Sequence, residues 1–394
     1  MRILYLADIR FPLERANGRQ SFETCRALAA AGHSVTLVVR PDSMRPGRDP
    51  YLFYGGERQE TLSISRVPSM PGTTLRRGTY VAAAVARAVS STPDVLFTRD
   101  LAIADLILRL PRSLRPPVLF ESHGYSPVVA LERPAALSGG RTASARKLKR
   151  LTRREARVWK RAAGYVTLTR VHQQELEDRF GPRSNSAVVP DGASVHASRR
   201  NAPAPTGPFT VTYAGHLYPW KGVDVLVRAI AELPDARLRI VGGQPGEHDH
   251  VRLDELARAI GVHERVTFTG WLSPASVASE LAQAHVLALP NTRTLVSERY
   301  TSPLKLFEYL AAGRPIVASN LHALGEVLRD NENALLVEPG SPEAFAAAIR
   351  GLKDDTALAS RLATQAFDDA THYGWDARAE RLGVVLETAR SGPS

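Results

Sequence analysis

The sequence predicts an α/β protein built from two doubly wound domains, and three observations lead there. Its 394 residues exceed the size at which a single hydrophobic core keeps growing, so two domains are the default. Short apolar runs alternate with amphipathic helical stretches along the whole chain, the pattern of parallel sheets with helical crossovers. Composition shifts to Ala, Pro, Arg and Ser between Val195 and Pro208, which reads as a linker.

The first set of elements opens with a strand over residues 2–7, a helix over 21–31, a turn at Gly32-His33 and a strand over 34–39. That is a βαβ unit. Helices over 79–90 and 102–110 alternate with strands over 94–98 and 117–121, and strands over 165–169 and 186–190 complete the set. After the break, strands are expected over 210–214, 236–241, 266–269, 284–289 and 315–318, with helices between them. The expected domains are therefore 1–195 and 209–372, joined by a linker over 196–208, with a C-terminal helix over 373–394 returning to the first domain. Two such halves facing a cleft would hold ligands at the carboxyl ends of their strands.

Apolar content of 44% supports globular folding, and the single cysteine, Cys25, excludes a disulfide framework. The chain starts directly on a strand-like run with no apolar leader ahead of it, and no later run is long enough to span a bilayer. The expectation is a cytoplasmic protein. Net charge is +11, but the first 200 residues carry 33 Lys and Arg against 17 Asp and Glu, a net +16, while the remainder carries −5. A basic half suits an anionic partner: a membrane surface, a lipid-linked phosphate or nucleic acid.

The segment 301–319 is the most informative. Ser302 is placed to cap a helix, Pro303 fits the first helical position, where a missing N–H costs nothing, and Gly313 closes the helix before a strand. The unpaired amides of such a first turn, from Ser302 to Leu304, form an anion site with the positive end of the helix dipole. Lys305 and Glu308 follow on roughly one face, one to hold phosphate and the other a sugar hydroxyl. Gly242 and Gly243 end a strand where backbone must pass close to a ligand.

Several spaced signatures then coincide: Tyr213-Ala-Gly215-His-Leu-Tyr-Pro-Trp220-Lys221-Gly222, Leu238-Arg-Ile-Val-Gly242-Gly243, Val266-Thr-Phe-Thr-Gly270-Trp271-Leu272, and the helix just described. In order and spacing they resemble the retaining glycosyltransferases of family 4, which have the GT-B fold of two Rossmann-like domains. The resemblance covers most of the chain and implies a metal-independent transferase with no cofactor beyond a nucleotide-sugar co-substrate, a uridine diphosphate sugar being commonest among such enzymes. It implies that Lys221 binds the donor diphosphate and that Glu308 accepts hydrogen bonds from the donor ribose. Main-chain groups around Trp271 and Leu272 would read the base, and Gly215 and His216 would border the diphosphate. In the first half, His123 of Glu121-Ser-His123-Gly124 would contact the transferred sugar, and the Asn17-Gly18 loop would approach donor phosphate and acceptor. The chain departs from the family pattern twice. His216 stands where arginine is usual, and the first of the family's two glutamates falls on Tyr300, with Glu298 two residues earlier.

Asp191-Gly192 replaces a common Asn-Gly and reads as structure. Residues 141–161 hold ten basic residues and one acid, Glu155, at amphipathic helical spacing. This helix is a candidate for peripheral contact with anionic lipid, although a solvated face over a buried stripe is the plainer reading. Ser302-x-x-Lys305 lacks the partner motifs of serine acylases, and Glu247-His-Asp-His250 lacks a third spaced metal ligand, so neither is assigned a function and no metal is expected. The sequence thus points to a nucleotide-sugar donor with an unidentified acceptor. The rivals are a nucleotide-sugar epimerase of the same fold and a basic nucleic-acid-binding protein, the latter leaving Lys221 and Glu308 without purpose.

Overall fold

The computed structural model describes residues 1–68, 73–136, 142–200, 203 and 205–392. By internal contacts it divides into two units: Met1–Ala130, Ala143–Asp191 and Trp375–Ser394 in the first, Leu131–Thr142 and Gly192–Gly374 in the second. The division falls at Asp191 and Gly192, ahead of the expected linker. Residues 196–208 belong to the second unit, where Arg200 grips Asp368 at 2.6 and 2.8 Å and the Pro203 carbonyl accepts from Arg314.

The first unit is a parallel sheet of seven strands: β1 (Arg2–Phe11), β2 (Ser34–Pro41), β3 (Leu62–Arg66), β4 (Val95–Thr98), β5 (Val118–Ser122), β6 (Gly164–Thr167) and β7 (Ser186–Val188), in the order β3-β2-β1-β4-β5-β6-β7. The second has six: β8 (Phe209–Ala214), β9 (Ala236–Val241), β10 (Val266–Phe268), β11 (Val286–Leu289), β12 (Ile316–Ser319) and β13 (Leu335–Val337), in the order β10-β9-β8-β11-β12-β13. In each sheet the chain winds outward from one central strand and then restarts on its other side. The reversal points, β1/β4 and β8/β11, are where such sheets open a crevice for ligands.

Both faces of the second sheet are covered, which is why its central strands are almost wholly apolar. Val211, Tyr213 and Ile240 pack with Leu226 and Ile230 of the helix Val223–Ala231 and with Phe345 and Ile349 of the helix Pro342–Asp354. Ala214, Leu287 and Ile316 meet Phe307 and Leu310 of the helix Leu304–Ala311 on the opposite face. In the first unit the helix Trp375–Ser391 lies on the helix Ala16–Ala30 and on β5 and β6, burying Arg378, Leu382 and Leu386.

Two strands, β3 and β13, lie outside the set that the sequence predicts. One is the half-exposed edge segment Leu-Ser-Ile-Ser-Arg and the other is three residues long. The helix expected over 21–31 begins at Ala16, so Asn17 and Gly18 sit in its first turn and not in a loop. Gly18 permits this. A side chain there would meet the Tyr54 hydroxyl at 2.6 Å and the Leu13 carbonyl at 2.8 Å, the two groups that already hydrogen-bond each other.

The turn Pro219–Lys221 enters the helix Val223–Ala231 through Gly222, whose φ is +68°. A Cβ on Gly222 would be driven into the Pro290 carbonyl oxygen just beyond β11, whereas Gly261, at φ +72°, has nothing near. Gly261→Ala should therefore lose only the left-handed backbone term, about 1–2 kcal/mol, and Gly222→Ala at least about 1 kcal/mol more. Urea denaturation of both variants checks the difference.

Candidate active site

In the second unit the carboxyl ends of β8, β9 and β11 are shaped by glycines. β8 ends at Ala214, and Gly215 follows at φ +134°; β9 ends at Val241, and Gly242 and Gly243 follow at φ +140° and +74°. A Cβ on Gly242 would overlap the Gly215 carbonyl, so only a bare backbone lets the two strand ends run side by side. The helix Leu304–Ala311 is fixed against this rim by Tyr309, whose hydroxyl accepts from the Ala214 N–H at 2.7 Å.

Two lysines reach the same rim. Lys221 ends the turn after β8, and its Nζ lies 3.6 Å from the centroid of the Trp220 ring. Lys305, in the first turn of the helix Leu304–Ala311, places its Nζ 3.8 Å from the Tyr213 ring centroid and against Gly215. That Nζ is buried and has no hydrogen-bond partner among the described residues. Burial pushes Lys221 down to about 7. Burial and then the charge of Lys221 push Lys305 well below the usual lysine range, against the favourable pull of Glu308 one turn on. This rim disfavours its own cations until an anion joins them.

The first unit holds the opposite arrangement, a carboxylate satisfied on every side. Glu121, on β5, is fully buried and ion-paired with Arg378 of the C-terminal helix. Its other oxygen meets His123 Nε2 at 2.6 Å and the Gln20 amide at 2.6 Å, while Arg99 donates to Gln20 Oε1 at 2.7 Å. Arg378 also donates to the carbonyls of Val189 and Pro190, at 2.9 and 2.6 Å. Burial works against the charge on Glu121, but Arg378, His123 and Arg99 outweigh it and hold the carboxyl well below the usual range. Burial and the neighbouring Arg99 push His123 down, so the imidazole is neutral near pH 7. A neutral ring facing a carboxylate through Nε2 carries its proton there, which leaves Nδ1 as the acceptor.

Residues 18–192 match the family described as glycosyl transferase 4-like domain, and residues 208–355 match glycosyl transferases group 1. Together they take in most of the chain. It belongs to the GT4-type glycosyltransferases. The D-inositol 3-phosphate glycosyltransferase of Corynebacterium glutamicum is 30% identical over 241 residues, 55% of this chain and 56% of that protein. The chain spans about half the length of the curated relatives it matches. Sucrose-phosphate synthase from Thermosynechococcus elongatus superimposes with a TM-score of 0.76 at 21% identity, covering 98% of each chain. HepE of Anabaena, solved with UDP-glucose, does so with a TM-score of 0.72 at 18% identity, covering 98% of this chain and 99% of that one. With its two parallel sheets the molecule has the GT-B fold.

Within this GT4-type framework the second unit gathers Gly215, Lys221, Gly242 and Lys305 at one rim. The start of the helix Leu304–Ala311 differs from expectation: Pro303 is the N-cap, with φ −78° and ψ 135° and no side-chain cap, so Ser302 lies one residue outside. The chain is still extended at Pro303, which moves the first helical position to Leu304. Trp271 and Leu272 follow Gly270 beyond β10 and are half-buried. His216 is exposed, its ring stacked on Tyr218 at 5.1 Å. Tyr300 is buried, and Glu298 is engaged by His322 at 3.0 Å and Arg293 at 3.3 Å. Asn17 Oδ1 is buried without a hydrogen-bond partner among the described residues. Arg378, Gln20 and Arg99 escaped sequence reasoning because their partners lie far along the chain; Glu121, beside His123 in the same motif, was the one available signal.

Removing Arg378 strands a buried carboxylate. Arg378→Met should lose about 3–5 kcal/mol of stability at pH 7, with Arg378→Met/Glu121→Gln recovering part of it. Because the folded carboxyl binds its proton later than the unfolded one, the contribution of Glu121 is complete above the ordinary carboxylate range and is lost progressively as pH falls from that range through the depressed folded value. Acid titration of stability should therefore fall less steeply below about pH 5 in the double variant than in the wild type.

Proposed function

We propose that this chain is a glycosyltransferase that moves a hexosyl or N-acetylhexosaminyl group from a nucleotide diphosphate donor, a uridine diphosphate sugar, to an acceptor with retention of anomeric configuration. The observation that carries the reading is the buried Lys305 ammonium, without a hydrogen-bond partner among the described residues, at the glycine-lined rim of β8 that Lys221 also reaches, beside a helix start with no side-chain cap. Donor-sugar cleavage leaves the electron pair of the sugar–phosphate bond on the diphosphate, while the acceptor hydroxyl oxygen bonds the anomeric carbon and releases its proton. Fixed cations aimed at the departing diphosphate stabilise the charge that grows there. Lys221 and the amides near Leu304 take this role, Glu308 holds the ribose, and backbone near Trp271 and Leu272 meets the base. On the first unit, His123 offers Nδ1 to a sugar hydroxyl.

The acceptor is assigned to the first unit. Its basic excess, together with the phosphorylated acceptor in the names of the curated relatives, supports an acceptor carrying a phosphate. Helix geometry supports a lipid-borne source for it. In the helix Ala145–Arg161, Glu155, Val158 and Trp159 turn inward. Buried Asp105 collects Arg109 at 2.9 Å, Arg154 at 3.4 Å and Arg157. Arg146, Lys149, Arg150, Arg153, Lys160 and Arg161 face solvent. Arg141, also part of the expected helix, lies outside the described residues. Among the described residues no helix is long and apolar enough to cross a membrane, so any contact of this kind is peripheral.

A thermal-shift screen against uridine, guanosine and thymidine diphosphates should raise the melting temperature with one of them, because a ligand bound by the folded state alone stabilises it. Lys221→Ala and Glu308→Ala should each abolish that shift while leaving the apo protein folded; survival of the shift in both would remove the site assignment. Sedimentation with liposomes should carry the protein down with anionic vesicles and leave it in solution with neutral ones, and equal recovery from both would end the lipid reading.

A further inference from the structure

Among the described residues, neither rim lysine pairs with a carboxylate. Each rests on an aromatic face: Lys221 Nζ at 3.6 Å from the Trp220 ring centroid, Lys305 Nζ at 3.8 Å from that of Tyr213. A ring face attracts an ammonium through its quadrupole but leaves its charge uncancelled and its three N–H donors unspent. A carboxylate partner would do the reverse. The rings are themselves held. Tyr213 is fully buried, and its hydroxyl donates to the His216 carbonyl at 2.6 Å. Trp220 is tied through its carbonyl, which accepts from the Thr292 N–H at 3.1 Å, and its ring lies parallel to that of Tyr218 at 6.3 Å.

Lys305 feels the charge of Lys221, and like charges at one rim are costly unless an opposite charge joins them. Lys305 Nζ is buried with no hydrogen-bond partner among the described residues, and it lies against Gly215, where the lack of a side chain keeps the approach open. We infer that Lys221 and Lys305 form a two-cation clamp for a pair of linked phosphates, with Trp220 and Tyr213 as positioning residues that hold each ammonium ready for the anion. This deepens the nucleotide-sugar reading and rests on it. Lys305 becomes a specificity residue that separates a nucleoside diphosphate from a monophosphate, since one phosphate can engage one ammonium fully and two linked phosphates can engage both. Glu308, whose charge Lys305 also feels, stays with the ribose.

The experiment is titration calorimetry of the full chain with uridine diphosphate and uridine monophosphate, or with the guanosine or thymidine pair if the screen selects that base. Wild type should prefer the diphosphate by at least about 30-fold, and Lys305→Met should reduce diphosphate affinity about 10- to 30-fold while changing monophosphate affinity less than about 3-fold. Trp220→Leu should weaken diphosphate binding selectively, and Trp220→Phe, which restores a ring face, should recover it. Apo Lys305→Met should also melt above wild type, because the substitution removes a buried like charge. A lysine that merely supported the fold would give a lower melting temperature. An unchanged diphosphate preference in Lys305→Met, or a lowered melting temperature with no loss of preference, overturns the clamp and leaves the nucleotide site standing. Wild type that binds no nucleoside diphosphate takes the clamp and the transferase reading together.

Discussion

Two ammonium groups held at one strand-end rim, each against an aromatic ring, set the terms for the second unit. Desolvation acts against the charge of both, and the charge of Lys221 acts further against that of Lys305. A fold can tolerate that only if the surrounding backbone leaves the lysines nowhere better to go. Here the constraint is met by glycines with left-handed φ at 215, 222, 242 and 243, which let three strand ends and a helix start crowd together. Tyr309 bolts that helix to β8 through the Ala214 amide. Stability is given up at the rim and recovered in the two apolar layers beneath it.

The two units share an architecture and differ in how they treat buried charge. In the first, Glu121 is enclosed by Arg378, His123 and Gln20, a network with few polar atoms left over, which suits a group whose task is to hold another in place. In the second, Lys305 has a buried nitrogen with no hydrogen-bond partner among the described residues, which suits a group whose partner arrives from solution. A satisfied network fixes the tautomer of His123; an unsatisfied cation invites a ligand. Both follow from the same cost of burying a charge.

The uneven charge of the chain has a structural counterpart. The helix Ala145–Arg161 does not neutralise its cations within itself, since Glu155 is buried and bonded to Ser126 and Tyr165. Asp105 takes three guanidiniums on the inner side and leaves the outer face basic. The excess is therefore displayed and not absorbed, which makes a solvated face and an anion-facing surface the same object seen under different conditions.

Much of this was legible in the residues. Alternating apolar runs mark eleven of the thirteen strands among the described residues, because a parallel sheet covered on both faces needs continuous Val, Ile, Leu and Ala. Only short or polar edges, β3 and β13, fell below the signal. Gly215, Lys221 and Gly242, which the motifs single out, lie at one rim, since a tight turn, a close backbone approach and a cation are local demands that local sequence must meet. What sequence could not decide was which distant groups meet: Arg378 on Glu121, Tyr309 on Ala214, Lys305 over Tyr213, and the division at Asp191 and Gly192. Those are settled by strand order and helix packing, which join residues as distant as Arg378 and Glu121, 257 positions apart, so they become visible only when the chain is folded.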